Sequence, residues 1–169
     1  REVVRVLVRF TEMLRPELPG IAASGDYLTT MDLIRAKARF ALDNDCTMPI
    51  VEEGSSILLK NARHTLVAQT LRKEGKRVVP LDLVLTPQKH ILVISGPNAG
   101  GKSVCPKTVG LLQYMMQCGL LVSASENSEM GIFRSIFIDI GDEQSIDNDL
   151  STYSSHLLNM KNILRHADN

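Results

Sequence analysis

The chain has 169 residues, and its content of 44% hydrophobic and 22% charged residues is that of an ordinary globular domain. The 19 basic and 19 acidic residues give a formal net charge of zero, which argues against nucleic-acid binding by bulk positive charge but leaves room for a local basic patch. Aromatic residues make up only 4%, so we expect an aliphatic core rather than an aromatic platform for stacked bases.

The sequence favours a reducing cytoplasmic setting without a membrane partner. The three cysteines, Cys46, Cys105 and Cys118, lack the spacing of a zinc site or a disulfide framework. No apolar run approaches the roughly 20 residues that span a membrane. The first residues also lack the apolar core and cleavage site of a signal peptide.

The first 48 residues are predicted to be helical. Apolar residues recur at helical spacing over 1–14, and Pro16 with Pro19–Gly20 should end that helix. A second apolar stripe predicts a helix over 28–44. We place a boundary between this helical block and the rest of the chain at 49–60.

From residue 50 onward, short apolar runs between turn residues predict strands. The runs are Ile57–Leu59, Val78–Val79, Leu83–Leu85, Ile91–Ile94 and Ser135–Ile140. The run Ile91–Ile94 is continuous, as expected for a strand buried on both faces. Helices predicted at 101–118 and from Ser151 complete a strand–loop–helix–strand order, which predicts an α/β fold.

A phosphate-binding loop is predicted between the strand at 91–95 and the following helix. Its sequence GPNAGGKS fits the pattern GxxxxGK[ST] and comprises Gly96, Pro97, Asn98, Ala99, Gly100, Gly101, Lys102 and Ser103. Backbone N–H groups of such a loop surround phosphate oxygens, the lysine reaches the β- and γ-phosphates, and the serine hydroxyl ligates Mg²⁺. The loop therefore predicts ATP and Mg²⁺ as ligands.

One proline conflicts with the predicted helix after this loop. Pro106 lies three residues beyond Ser103, and proline inside a helix costs about 3 kcal/mol. Either the position is close enough to the helix start for a kink to absorb it, or the loop is altered and binds nucleotide less tightly. The proline rule favours the first alternative.

Two polar clusters follow the last predicted strand. One cluster is Asp142, Glu143 and Gln144, at the sheet edge where α/β proteins bind ligands. The position is equally consistent with two interpretations: contacts to Mg²⁺ or to an attacking water, and a solvated acidic loop. The segment 151–156 then places four serine or threonine residues, a tyrosine and a histidine at a helix start. A helix cap accounts for one serine, and the rest suit an anion site for a γ-phosphate, its own or a partner's.

Three segments together resemble the ATPase domain of the MutS family. They are ILVISGPNAGGKS at 91–103, DIGDEQSI at 139–146 and LSTYSSH at 150–156. The last two resemble the second bacterial branch, MutS-two, more than mismatch-repair MutS proper. Upstream, AKARFA at 36–41 is similar to the last core helix of the family, and NARH at 61–64 is similar to the segment that leads into its ATPase domain.

The resemblance implies roles for further residues. Ser151 and Thr152 match the signature residues that approach the γ-phosphate bound by the other subunit of a homodimer. Gln144 matches the γ-phosphate-sensing loop of ABC-type ATPases. The catalytic candidates are therefore Lys102, Gln144, Ser151 and Thr152. Val78 and Val79 match residues that relatives place against adenine, although valine cannot stack as an aromatic ring does.

The resemblance also implies an architecture. It is a P-loop NTPase fold of the ABC type, incomplete, with residues 1–48 as C-terminal helices of the MutS-like core and residues 49–169 as the N-terminal half of the ATPase domain. The family's Walker B strand, its switch histidine and two central strands would follow Asn169. We therefore expect unpaired strand edges, self-association or marginal stability, and ATP hydrolysis no faster than background.

The implied parent protein is a homodimeric ATPase that binds mismatched or branched double-stranded DNA and suppresses recombination, in some members with an endonuclease domain. An ATPase that acts on stalled or collided ribosomes is the alternative within the same branch. Two alternatives come from other classes. A transport ATPase subunit would carry an LSGGQ-like signature in place of LSTYSSH, and an interaction fragment would bind nucleotide without turnover.

Overall fold

The computed structural model describes residues 1–97, 100–139 and 149–166. The chain divides into two compact units, Arg1–Asp43 and Asn44–Asn169. Within the described ranges, no helix has both the length and the apolar character needed to cross a membrane.

The first unit consists of two helices joined by one 3₁₀ turn. Helix α1 spans Glu2–Leu14, the turn spans Arg15–Glu17, and helix α2 spans Leu18–Asp43. The bounds of α1 agree with the prediction, but α2 begins well before the predicted residue 28. Pro19 does not end a helix because it lies in the first turn of α2, where a backbone N–H has no intrahelical partner to lose.

The second unit is mixed α/β with a small four-stranded sheet. Its elements are β1 (Ile50–Glu52), β2 (Ile57–Ala62), α3 (Thr65–Lys73), β3 (Leu81–Leu85), α4 (Val104–Gln117), β4 (Glu129–Gly131) and α5 (Asp149–His166). The strand order is β1-β4-β2-β3. Strands β1 and β4 are parallel, whereas β4 with β2 and β2 with β3 are antiparallel.

The core of this unit is aliphatic, as the composition predicts. Leu59 on β2, Leu112 on α4, Met130 on β4 and Val122 are almost completely buried. A hydrogen bond of 2.7 Å from Gln113 Nε2 to the Gly131 carbonyl joins α4 to the end of β4. This hydrogen bond attaches the helix that follows the predicted phosphate loop to the sheet.

Two predicted strands lie outside this sheet. Ile91 and Val93 are 77% and 84% exposed, and the run that contains them has no strand structure, so the prediction of a buried strand at 91–94 is wrong for this structure. The described part of the second run, 135–139, is also irregular. A strand buried on both faces needs neighbours at its edges. Among the described residues, neither run has such a neighbour.

The remaining strand predictions have mixed outcomes. The runs Ile57–Leu59 and Leu83–Leu85 lie within β2 and β3, as predicted, whereas Val78–Val79 lies in the loop before β3. Strands β1 and β4 were not predicted, because three residues each are too few to show a period of two.

Helix α4 accommodates Pro106 without loss of a hydrogen bond. The helix begins at Val104, so the proline lies in its first turn. The first N–H groups of an α-helix have no intrahelical acceptor, and a proline there removes nothing.

Candidate functional site

The loop before α4 has the backbone that its glycines allow. Gly96 and Gly101 have φ angles of 142° and 78°, values that residues with a side chain rarely adopt. The Gly100 N–H donates to the Pro97 carbonyl at 3.0 Å, and the Val104 N–H donates to the Gly101 carbonyl at 3.0 Å. The chain thus turns tightly into the N-terminus of α4, the end of a helix where the macrodipole favours an anion.

Lys102 and Ser103, the residues predicted to contact phosphate and Mg²⁺, lie at the end of this loop. The Lys102 ammonium donates to the Gly96 carbonyl at 2.5 Å and so lies across the loop. Ser103 is the N-cap residue of α4, is exposed, and makes no capping hydrogen bond with its side chain. Its hydroxyl is therefore not engaged by the helix start.

A cleft of about 790 Å³ adjoins the C-terminal part of the loop, within the volume range typical of ligand sites. Gly100, Gly101 and Lys102 line it on one side, and Val78, Val79 and Pro80 line it on another. Two regions singled out separately in the sequence therefore share one cavity. Val79 is 86% exposed, so its side chain is accessible to a ligand.

The same cleft is lined by His64 and Cys105, two residues not predicted as part of a site. Burial and the nearby Lys107 ammonium lower the pKa of His64, and its Nδ1 accepts a long bond of 3.5 Å from the Val67 N–H. Burial raises the pKa of the Cys105 thiol, which disfavours the thiolate. The signal for His64 was its place in the NARH segment; nothing in the sequence marked Cys105.

These residues fit a magnesium nucleotide. The fit rests on three features: the backbone conformation of the glycines, the Lys102 ammonium bonded across the loop, and the Ser103 hydroxyl, which does not cap α4. The apolar valine wall suits a base, and the cationic loop suits phosphates.

Comparison with known proteins identifies the family of this site. The sequence pattern of MutS domain V, the ATPase domain of that family, matches residues 92–169. Endonuclease MutS2 of Carboxydothermus hydrogenoformans is 44% identical over 168 residues, which are 99% of this chain and 21% of that protein. The chain belongs to the MutS2 family. Endonuclease MutS2 proteins of a Geobacillus strain and of Latilactobacillus sakei are 42% and 39% identical over the same shares.

The chain spans about a fifth of the length of these MutS2 relatives. The family thus confirms the resemblance found in the three segments. Its ATPase domain is compatible with the mixed α/β unit, in which the observed sheet is formed by β1–β4 rather than by the strands predicted next to the phosphate loop.

Several predicted MutS2 site residues cannot be placed by their side chains. Asn98, Ala99 and Gln144 lie outside the described residues, as do Asp142 and Glu143. Ser151 and Thr152 lie near the start of α5, which begins at Asp149, but only the backbone of the helix is described there. Their predicted roles stay predictions.

Proposed function

We propose that this chain forms the ATP-binding part of a DNA-binding MutS2-type ATPase. The observation that carries the proposal is the shared cleft, in which the Gly100–Lys102 segment and the Val78–Val79 segment face one cavity. A cationic loop next to an apolar wall is the arrangement that a nucleoside triphosphate needs. Membership in the MutS2 family supports the same ligand.

The residues of the chain have distinct tasks in this proposal. The N–H groups of Gly100 and Gly101, with the N-terminus of α4, bind phosphate oxygens. Lys102 exchanges the Gly96 carbonyl for the β- and γ-phosphates, and Ser103 supplies a hydroxyl to Mg²⁺. Bound Mg²⁺ neutralises charge on the phosphates.

Binding is proposed here without turnover by this chain alone. Hydrolysis needs a residue that orients the attacking water. Among the described residues that line the cleft, Asp82 carries the carboxylate, and its Oδ1 already accepts from the Asn61 N–H at 2.6 Å. We propose that turnover requires Gln144 together with Ser151 and Thr152 of a second subunit.

The wider function is proposed from the family. A homodimeric MutS2-type protein would bind mismatched or branched DNA and change its affinity for that DNA with ATP occupancy. Suppression of recombination would follow from this binding. The relatives carry the name endonuclease, which refers to those proteins and not to the residues of this chain.

The first prediction tests the nucleotide site. Lys102→Ala should weaken ATP binding by about 1.5–3 kcal/mol, because a charge-assisted contact to phosphate is lost. Titration of a fluorescent ATP analogue with Mg²⁺ into both proteins measures the difference. Lys89→Ala is the matched control, since Lys89 is an exposed cation that does not line the cleft. Equal affinities of the Lys102 variant and the unsubstituted chain would refute the site.

A further inference from the structure

A second concave site, lined by basic side chains, shares Val78 and Pro80 with the proposed nucleotide cleft. Its volume is about 510 Å³, and it is formed where β2 ends, along α3, and at the turn that follows α3. Four cationic side chains line it, those of Arg63, Arg72, Lys76 and Arg77. Among the described residues, no carboxylate lines it. We call this site the basic pocket. In a chain with zero net charge, such a concentration is a local feature.

The acidic neighbours of the basic pocket neutralise it only in part. One carboxylate oxygen, Asp45 Oδ2, lies 2.8 Å from Arg72 Nη2 and 3.6 Å from Arg63 Nη1. Glu74 pairs with Lys76 at 2.9 Å. Arg77 has no ion pair with any described residue. In the described part of the chain, the ion pairs of Asp45 and Glu74 thus involve three of the four cations, and the charge of Arg77 is not offset by an ion pair.

Arg63 gives an independent sign that an acceptor is needed. Its Nε is buried and has no hydrogen-bond partner among the described residues. Its side chain is 26% exposed, so the guanidinium lies at the pocket wall rather than in open solvent. A buried donor without an acceptor is costly, and a water or an anion is the usual remedy.

The backbone around the basic pocket is also unusual. Asp45 and Asn61 have φ angles of 48° and 53°, in the left-handed region that side chains disfavour. Asp45 holds the two arginines, and Asn61 lines the pocket. Aspartate and asparagine adopt this region several times more often than other residues with a side chain, so these φ angles shape the turns beside the pocket and indicate no strain.

We infer that the basic pocket is a phosphate-binding site separate from the loop at 96–103. Arginine presents a planar fork of N–H donors that matches a phosphate oxyanion, and three arginines converge here. Asp45 holds two of them in place without neutralising both. Val78 and Pro80 line both the basic pocket and the nucleotide cleft, so the two sites share a wall. The inference does not depend on nucleotide binding at Lys102.

The phosphate has two chemical sources that one experiment separates. It is either a free phosphate or a phosphodiester of a nucleic-acid strand. The probes are inorganic phosphate and a fluorescein-labelled 20-nucleotide oligothymidylate. For each, the Nε–H resonance of Arg63 is followed by ¹⁵N-correlated NMR, since burial protects that proton from rapid exchange. The anisotropy of the oligonucleotide is recorded over a range of salt concentrations.

The informative variant is Arg77→Glu, because Arg77 is exposed and holds no ion pair in the described part of the chain, so its loss should not disturb folding. Lys89→Glu makes the same charge change outside the basic pocket and is the control. We expect the probe that binds to lose at least about tenfold affinity in Arg77→Glu and little in Lys89→Glu. Lys102→Ala should retain this binding, which separates it from the nucleotide site.

The outcomes show whether the basic pocket binds phosphate and whether that phosphate is a free anion or part of a nucleic-acid strand. A shift of the Arg63 resonance with phosphate alone identifies a free anion. Binding of the oligonucleotide, with a logarithmic salt slope smaller by at least about 0.7 in Arg77→Glu than in the unsubstituted chain, identifies a strand. The inference is overturned if neither probe moves the Arg63 resonance. It is equally overturned if Arg77→Glu and Lys89→Glu lose the same affinity.

Discussion

At the start of α3, the ring of His64 takes the place of an ordinary helix cap. Its Nδ1 accepts from the Val67 N–H, so the hydrogen of the neutral ring is on Nε2, on the other side of the ring. Burial and Lys107 both oppose a positive charge on this ring, and they lower its pKa. Protonation would also remove the lone pair that caps α3. The helix start is therefore built for the neutral form.

The second prediction concerns the pH dependence of stability. Because the pKa of His64 is lower in the folded than in the unfolded chain, the unfolded chain binds more protons between the two values. The free energy of unfolding should therefore fall as pH drops through about 6.5, the unfolded value, and level off below the folded pKa. Urea unfolding of the unsubstituted chain and of His64→Asn, at pH 5 to 8, measures it.

Asparagine can still accept from the Val67 N–H but does not titrate, so His64→Asn should retain the cap and flatten this pH dependence. Lys107→Met should bring the pKa of His64 in the folded chain closer to its unfolded value, because burial then remains but the Lys107 charge does not. The pH range over which stability changes should therefore become narrower. If the slope of stability against pH is the same in all three proteins, His64 is not its source.

At the scale of helices and strands, Gly131 and Gly110 differ in the atoms that an added Cβ would meet. A Cβ at Gly131, in β4, would clash with the backbone carbonyl of Gly54. A Cβ at Gly110, in α4, would lie 2.5 Å from Ile138 Cδ1, the tip of a side chain that can rotate away. The same added methyl group therefore meets a rigid obstacle in one element and a movable one in the other.

The third prediction compares these two positions. Gly131→Ala should destabilise the second unit by about 1–3 kcal/mol, as overpacking against backbone does. Gly110→Ala should change stability by less than about 1 kcal/mol, because the helix propensity of alanine offsets the displacement of Ile138. Thermal unfolding of both variants measures the difference. Equal losses would show that β4 can move away from Gly54.

How far the elements follow from sequence depends on where their partners lie. Helix α1 was predictable, because its apolar period is local and strong. The early start of α2 was not, because Pro19 was taken as a terminator although the first turn of a helix tolerates it. Strand β1 pairs with residues far along the chain, and three residues carry no period of their own.

The site shows the same division between local and distant information. The sequence GPNAGGKS predicts a phosphate loop because its glycines, lysine and serine form one contiguous pattern, and its contact with phosphate stays a prediction. The cleft that joins Val78 to Lys102, and the presence of His64 and Cys105 in it, depend on chain packing that no local pattern encodes. The basic pocket was missed for that reason: its cations are scattered over β2, α3 and a turn.

At the scale of the whole molecule, exposed apolar surface is the dominant feature. Ile91 and Val93 face solvent on a segment whose backbone lies outside the sheet, which favours pairing with a second copy. Helix α1 offers a second apolar surface, with Leu7 and Phe10 more than half exposed. Either surface could drive association, and they can be separated by substitution.

The fourth prediction is that the chain self-associates through the 91–94 segment. Ile91→Lys with Val93→Lys should lower the mass measured by light scattering, because paired charges oppose edge-to-edge pairing. Leu7→Lys with Phe10→Lys makes the equivalent change on α1 and should lower it less. A monomeric unsubstituted chain, or dissociation by the α1 substitutions alone, would contradict this assignment.

The parallel pairing of β1 with β4 sets the order in which the chain can fold as it is synthesised. Strands β2 and β3 can meet as soon as residue 85 has emerged, since Ile57 pairs with Leu85. Asn44 must wait for Ser123, 79 residues later, and β1 must wait for β4. Closing such long loops costs entropy before any contact repays it. During translation, the phosphate loop and α4 therefore leave the ribosome before the strand that anchors α4 exists.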